Sequence, residues 1–337
     1  MTYADYGRPL WRRVLLTREM AIVALLVIVI GTASAIVPKF ATQLTMTYLL
    51  LDVTTILLIA LPMTPIIITG DIDLSVGSMV GLSSVVVGLL TSAGWSIPAS
   101  TVVALIVGAI GGAVNGLLVT KLQLPSLAVT IGTMALYRGI AVGLLGTTAV
   151  TSFPKEWTAL AKANIGDTGI PVVMILFLVL LAGFAVMLHF TPFGRGIYSI
   201  GRSSEASTFT GVNVARTRLI LFILAGIVSA LAGVYYTLRF GSARGDNATG
   251  LELQVIAAVV LGGVSVFGGR GAYHGVVAGV LLIGVLASAL RLADVTSDVI
   301  NIITGVLLIF SVISASVLTW MQSRRTKPGP KPNKTST

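Results

Sequence analysis

Long apolar runs separated by short polar connections fill this chain almost from end to end. Ten runs stand out: Met20–Val37, Thr47–Thr69, Leu74–Ala93, Ile97–Val119, Pro125–Leu145, Ile170–Phe190, Leu219–Leu238, Leu253–Phe267, Tyr273–Leu290 and Val299–Val317. A run of about 20 apolar residues crosses a hydrocarbon core roughly 30 Å thick. Inside lipid the backbone must satisfy its own hydrogen bonds, so such runs are helices. A membrane β-barrel shows short alternating segments instead. The pattern predicts an all-α polytopic membrane protein of about ten transmembrane helices. The run near 253–267 is short and glycines interrupt its end, which predicts a partial or broken helix. Pro62 and Pro65 predict a kink or break close to the end of the second span.

The polar remainder sets the orientation. Only 10% of the residues are charged, against about 25% in a soluble domain, and the net charge is +10. The basic residues sit in short connections and at the two ends. This is the pattern of the positive-inside rule and not of a nucleic-acid surface. An even number of spans places both termini on one side. With that side cytoplasmic, 15 of the 22 Lys and Arg lie there. The organisation is then a cytoplasmic segment at 1–19, a transmembrane domain at 20–318 carrying a loop at 191–218, and a basic, disordered cytoplasmic tail at 319–337. No cleavage site closes the first run, so it reads as a permanent span. The absence of cysteine excludes disulfides, thiolate nucleophiles and cysteine metal sites. His189 and His274 stand too far from other ligands to bind a metal, and no nucleophile–base pair is evident. The chain reads as a non-enzyme.

Five stretches carry candidate function. The cytoplasmic loop Thr191–Arg218 holds Arg195, Arg202, Arg216 and Arg218 beside one acid, Glu205. Its stretch Glu205–Gly211 reads as a short helix closed by glycine, with Phe209 exposed. Asp71 and Asp73 sit between the second and third spans. An acid in mid-membrane is costly, so each must meet water, a partner or a helix N-terminus. Asp73 suits a cap on the third span, and contact with a transported molecule or ion is the other reading. Asn115, in the small-residue run Ile110–Val119, suits an interhelical hydrogen bond or a ligand contact. Arg244 and Asp246 either pair with each other or meet an external protein. The glycine-dense Leu261–Gly271 lacks the Lys-Ser/Thr ending of a phosphate-binding loop and suits a tight turn. Asp52 and Arg138 are intramembrane charges and so candidate functional positions. Trp157, in the long outer connection Thr147–Gly169, suits an interfacial anchor. Gly70–Gly88 and Gly262–Gly284 echo one another, each running from a glycine-rich turn into a helix.

Together these segments resemble permease subunits of bacterial ATP-binding cassette importers for monosaccharides, the ribose, xylose, rhamnose and autoinducer-2 group. The resemblance spans about Leu49 to Val317. It rests on GDIDLSVGS (Gly70–Ser78), NGLLVTKLQLPSLAVTIGT (Asn115–Thr133), FGRGIYSIG (Phe193–Gly201), EASTFTGV (Glu205–Val212) and LELQVIAAVVLGGVSVFGGRG (Leu251–Gly271). The family pattern implies a cytoplasmic coupling helix, matched by Glu205, Ala206 and Gly211, with Ser207 in place of a second alanine. Asp71 stands where the family carries glycine. The resemblance implies cytoplasmic ATPase subunits as partners, with Arg195, Glu205, Ala206 and Gly211 toward them. It also implies an extracytoplasmic sugar-binding protein, and a second permease copy or sister permease in the bilayer. This chain would bind no cofactor, ATP being held by the partner ATPase. The stretch Phe240–Asp246 is similar to rhamnose and autoinducer-2 permeases. The alternative is an ion-coupled secondary transporter of a small polar solute, using Asp52, Asp71 or Asp73 as ion sites.

Overall fold

The second apolar run forms the centre of the molecule. In the computed structural model, which describes residues 18–296, 298–306 and 309, this run is α2, Gln43–Ile68, and most of it is buried. Before it comes α1, Arg18–Ile36. After it come α3 (Val76–Ser92), α4 (Ile97–Thr120), α5 (Ser126–Leu145), α6 (Lys155–Leu160) and α7 (Val173–Phe190). The chain continues through α8 (Pro192–Arg202), α9 (Ser204–Phe209), α10 (Val214–Phe240), α11 (Leu251–Leu261) and α12 (Tyr273–Leu292). There is no strand among the described residues, only two isolated bridges. Among the described residues seven helices, α1, α2, α4, α5, α7, α10 and α12, are long and apolar enough to cross a membrane. Two more apolar helices, α3 and α11, are shorter. The segment 1–17, most of the run Val299–Val317 and the tail lie outside the described residues.

Several boundaries differ from the sequence reading. The break expected near Pro62 and Pro65 is found at Thr69–Ser75, directly after α2 ends at Ile68. A proline at position i removes the donor that would reach the carbonyl at i−4. Pro65 thereby frees the Leu61 carbonyl, and the Tyr273 hydroxyl of α12 donates to it at 2.9 Å. The neighbouring helix thus supplies the bond that Pro65 removes. Tyr273→Phe orphans that buried acceptor, so a loss of about 1–3 kcal/mol is expected, read as a lower melting temperature in detergent. The short eighth run is helical only over Leu251–Leu261, and its expected end, through Phe267, is a turn. The seventh starts five residues early, at Val214, so Arg216 and Arg218 stand on the first turns of α10 instead of in a loop. An N-cap at Thr191 followed by Pro192 starts α8, a helix that the apolar pattern did not announce.

Helix packing relies on small residues. Gly108, Gly112 and Gly116 form one stripe on α4, and α10 lies directly on it. A Cβ on Gly226 would overlap the Gly108 carbonyl, so the two backbones touch. Between lipid-exposed helices no hydrophobic force selects protein over lipid, and this close approach supplies packing instead.

The polar connections gather at two opposite ends. At one end, the backbone of Val150 exchanges hydrogen bonds with Ala243 at 3.0 and 2.8 Å. Thr47, near the start of α2, donates to the Gly169 carbonyl at 2.6 Å. At the other end, the Gly269 N–H donates to the Ile68 carbonyl at 2.8 Å. There the Tyr198 hydroxyl of α8 donates to the Gly271 carbonyl at 2.7 Å. The glycine-rich turn after α11, the end of α2 and the α8–α9 segment therefore form one assembly.

Candidate coupling and translocation site

The α8–α9 segment is where the apolar bundle presents polar chemistry outside itself. Ser203 caps α9 by accepting from the Ala206 N–H at 3.1 Å, and Gly211, at φ +85°, turns the chain out of it. One face of α9 is fixed: buried Ser207 pairs its hydroxyl with that of Ser199 on α8 at 2.7 Å. The other face is open. Glu205 and Ala206 are exposed, Phe209 is 91% exposed, and Arg195 is exposed on α8. Arg195 and Glu205 form no ion pair among the described residues.

Arg218 joins this segment to the interior. Its Nε stands 2.7 Å from the Asp71 carboxylate, and its Nη2 donates to Ser204 Oγ of α9 at 3.3 Å. Asp71 also accepts from the Thr69 hydroxyl at 3.1 Å. A buried carboxylate is tolerated when a cation and hydrogen bonds replace its lost water. The broken segment Thr69–Ser75 is held from the far side by α5. Ser126 accepts from the Ile72 N–H at 3.2 Å, and Thr130 donates to the Ile72 carbonyl at 3.1 Å. A cleft of about 870 Å³ opens here, with Asp71, Ser126, Gly211 and Arg218 among its walls.

The other candidates take different surroundings. Asp73 accepts from both the N–H and the hydroxyl of Ser75, at 2.9 and 2.7 Å, just before α3 begins. Asn115 donates to the same Ser75 hydroxyl at 2.8 Å, across from α4. Asp73, Ser75 and Asn115 thus form one buried chain, separate from the Asp71–Arg218 pair. Arg244 and Asp246 lie at the opposite end of the molecule and bind each other through two bonds, at 2.9 and 3.0 Å. This hydrogen bonding holds the Asp246 carboxyl below its usual range. Both side chains are exposed, so the pair adds little stability.

Arg138 of α5 donates to the carbonyls of Gly245 and Asn247 at 2.8 and 2.6 Å, fastening the 241–250 connection to the bundle. Asp52 of α2 receives Arg239 of α10 on one oxygen and Arg291 of α12 on the other, the latter at 3.0 Å. Sequence reasoning named Asp52 but missed both arginines and the bridging role of Arg218. A signal existed. Asp52 and Asp71 lie 19 residues apart, Arg218 and Arg239 lie 21 apart, and each arginine meets the aspartate that an antiparallel pairing of α10 with α2 demands.

Comparison with known proteins agrees with this architecture. A family model described as "Branched-chain amino acid transport system / permease component" matches residues 45–312. The protein named "Autoinducer 2 import system permease protein LsrD" of Escherichia coli O157:H7 is 35% identical over 325 residues, covering 93% of this chain and 98% of that protein. Its counterparts in Escherichia coli strain K12 and Shigella flexneri show the same identity and coverage. No solved structure matches. With most of its length matched by the model and nearly the whole of each relative covered, the chain is a multi-pass inner-membrane protein and belongs to this family of transport-system permease components.

Proposed function

We propose that this chain is the membrane-spanning subunit of an ATP-driven importer that carries autoinducer-2 or a related monosaccharide, of the rhamnose or ribose class, into the cell. The chain has ten spans and both termini in the cytoplasm. The observation that carries this reading is the α8–α9 segment: an exposed helix bearing Glu205 and Phe209, tied through Arg218 to buried Asp71. An aromatic side chain left open on a polar face is the kind of anchor that protein interfaces are built around. A cytoplasmic ATPase subunit is its partner. The outer end, with Arg244 and Asp246, receives the substrate-loaded binding protein through charge complementarity. A second permease, identical or sister, completes the pathway. No ATP site is assigned to this chain, and no covalent chemistry occurs on it.

The cargo assignment leans on the relatives, whose name specifies autoinducer 2, and on the stretch Phe240–Asp246. The family description names a different cargo, so membership alone does not select it. Ion coupling has less support. Two of the three acids open to it, Asp52 and Asp71, are already paired with arginines.

The test is reconstitution of the chain in liposomes with candidate ATPase and binding-protein partners. ATP-dependent uptake of autoinducer-2 is expected. Uptake by the chain alone, driven by an ion gradient and indifferent to ATP, would overturn the proposal. In the same system Glu205→Ala is expected to reduce co-purification of the ATPase while leaving the melting temperature unchanged. Undiminished co-purification and uptake would remove Glu205 from the coupling interface.

A further inference from the structure

A second cleft, of about 550 Å³, opens at the end of the molecule that carries Arg244 and Asp246, and nothing above assigns it a role. Its walls come from α2, α10, α11, α12 and the 241–250 connection. Volumes of about 300–1,000 Å³ are usual for small-molecule sites. The walls combine three kinds of chemistry. Asp52, with 37% of its side chain exposed, gives one oxygen to Arg239 and the other to Arg291. A carboxylate has about four acceptor sites, so it retains capacity toward the cleft. Gln254 and Thr55 also line it, and neither side chain has a hydrogen-bond partner among the described residues; the Thr55 hydroxyl is fully buried. Tyr236 and Phe240, with ring centroids 4.5 Å apart, supply an aromatic wall, and the Arg239 guanidinium stands 4.7 Å from the Phe240 ring.

We propose that this cleft is an entry site for an uncharged polyhydroxylated molecule, occupied after release from the external binding protein and before the pathway opens. A sugar hydroxyl both donates and accepts, so it needs acceptors and donors side by side. Asp52 and Thr55 offer the first, and Arg239, Arg291 and the Gln254 amide offer the second. Three arginines and two aspartates leave the walls close to neutral, which suits an uncharged ligand. Aromatic faces cover the apolar C–H surface of a sugar ring. The hydroxyls of Thr55, Ser83, Ser100 and Ser229 are buried without a hydrogen-bond partner among the described residues, and of these Thr55 lines this cleft. A buried hydroxyl without a partner costs stability, and a ligand hydroxyl supplies what the fold does not. The cleft rests on the importer reading, and it places the first contact within one permease subunit.

Because the chain has no cysteine, Ser288→Cys places a single thiol in the cleft wall. The full chain in lipid nanodiscs is treated with a polar methanethiosulfonate, alone and with autoinducer-2, L-rhamnose or D-ribose. A ligand at ten times its Kd is expected to slow modification about tenfold. Adding Thr55→Val, which removes a hydroxyl that the fold does not use, is expected to abolish the protection without lowering the melting temperature. Adding Gln254→Ala is expected to weaken it. A thiol at Asn213→Cys, in the cleft at the opposite end, is expected to react at an unchanged rate. Failure of all three compounds to protect Ser288→Cys, or full protection persisting in both the Thr55→Val and Gln254→Ala backgrounds, overturns the proposal. Uptake in the reconstituted system is scored separately. ATP-driven uptake without protection removes the cleft and keeps the importer; protection without ATP-driven uptake keeps the cleft and removes the importer.

Discussion

Gly226→Leu is expected to leave little folded protein, whereas Gly132→Leu is expected to change almost nothing. Both glycines lie inside long apolar helices, and hydropathy does not tell them apart. The difference is what surrounds them. At Gly226 the space for a side chain is already filled by the backbone of α4 at Gly108 and Gly112. At Gly132 nothing lies within 4 Å. Overpacking a soluble core costs about 1–3 kcal/mol because neighbouring side chains yield. Backbone in a helix does not yield without moving the helix. Leucine at 226 therefore forces α10 away from the whole Gly108–Gly112–Gly116 stripe, and with it Arg218 and Arg239 from their aspartates. Leucine at 132 replaces a poor helix former with a good one, a gain of up to about 1 kcal/mol. The measurement is the monodisperse yield and melting temperature of each variant in detergent. A Gly226→Leu protein that melts with the wild type would refute the close α4–α10 contact.

Much of this fold was legible because lipid leaves the backbone few choices. Nine of the ten expected runs correspond to helices of the described structure, and the tenth lies mostly outside it. The short helix at α9 was legible from Glu205–Gly211, where polar residues lead to a closing glycine. An Arg244–Asp246 pair was one of the two readings that stretch left open, and the two side chains do bind each other. What hydropathy could not show is which polar groups meet across helices. Asp71 and Arg218 are 147 residues apart in sequence, and Asp52 and Arg239 are 187 apart. Such pairings depend on how helices pack, which follows from glycine stripes and not from hydrophobic periodicity. How α2 tolerates Pro65 was illegible for the same reason. The donor that rescues the Leu61 carbonyl comes from Tyr273, more than 200 residues away. The short α6 helix, over Lys155–Leu160, and α8 were missed because they lie outside the apolar runs, where only caps mark a helix.

Arg218→Ala is expected to lower ATP-driven uptake about 5–150-fold, the range of a coupling free energy of about 1–3 kcal/mol. Arg218 touches Asp71 in the break after α2 and Ser204 in the exposed α9. In the importer reading, a displacement of α9 by the ATPase therefore reaches Thr69–Ser75 through one guanidinium. The single variant also leaves Asp71 buried without its cation, so a stability loss of up to about 3–5 kcal/mol accompanies it. That loss alone would depress uptake, and a second variant separates the two effects. The double change Asp71→Asn with Arg218→Gln removes both charges but keeps size and hydrogen-bonding groups. Replacing both partners of a buried pair is often close to neutral for stability, so the melting temperature is expected to return toward that of the wild type. Uptake, and stimulation of the ATPase by the loaded binding protein, are expected to stay low, because an amide pair transmits less force than an ion pair held at 2.7 Å. Recovery of uptake in step with the melting temperature would show that the pair only holds the break in place. It would then move the coupling role to other contacts between the two segments, such as the Tyr198 bond to Gly271.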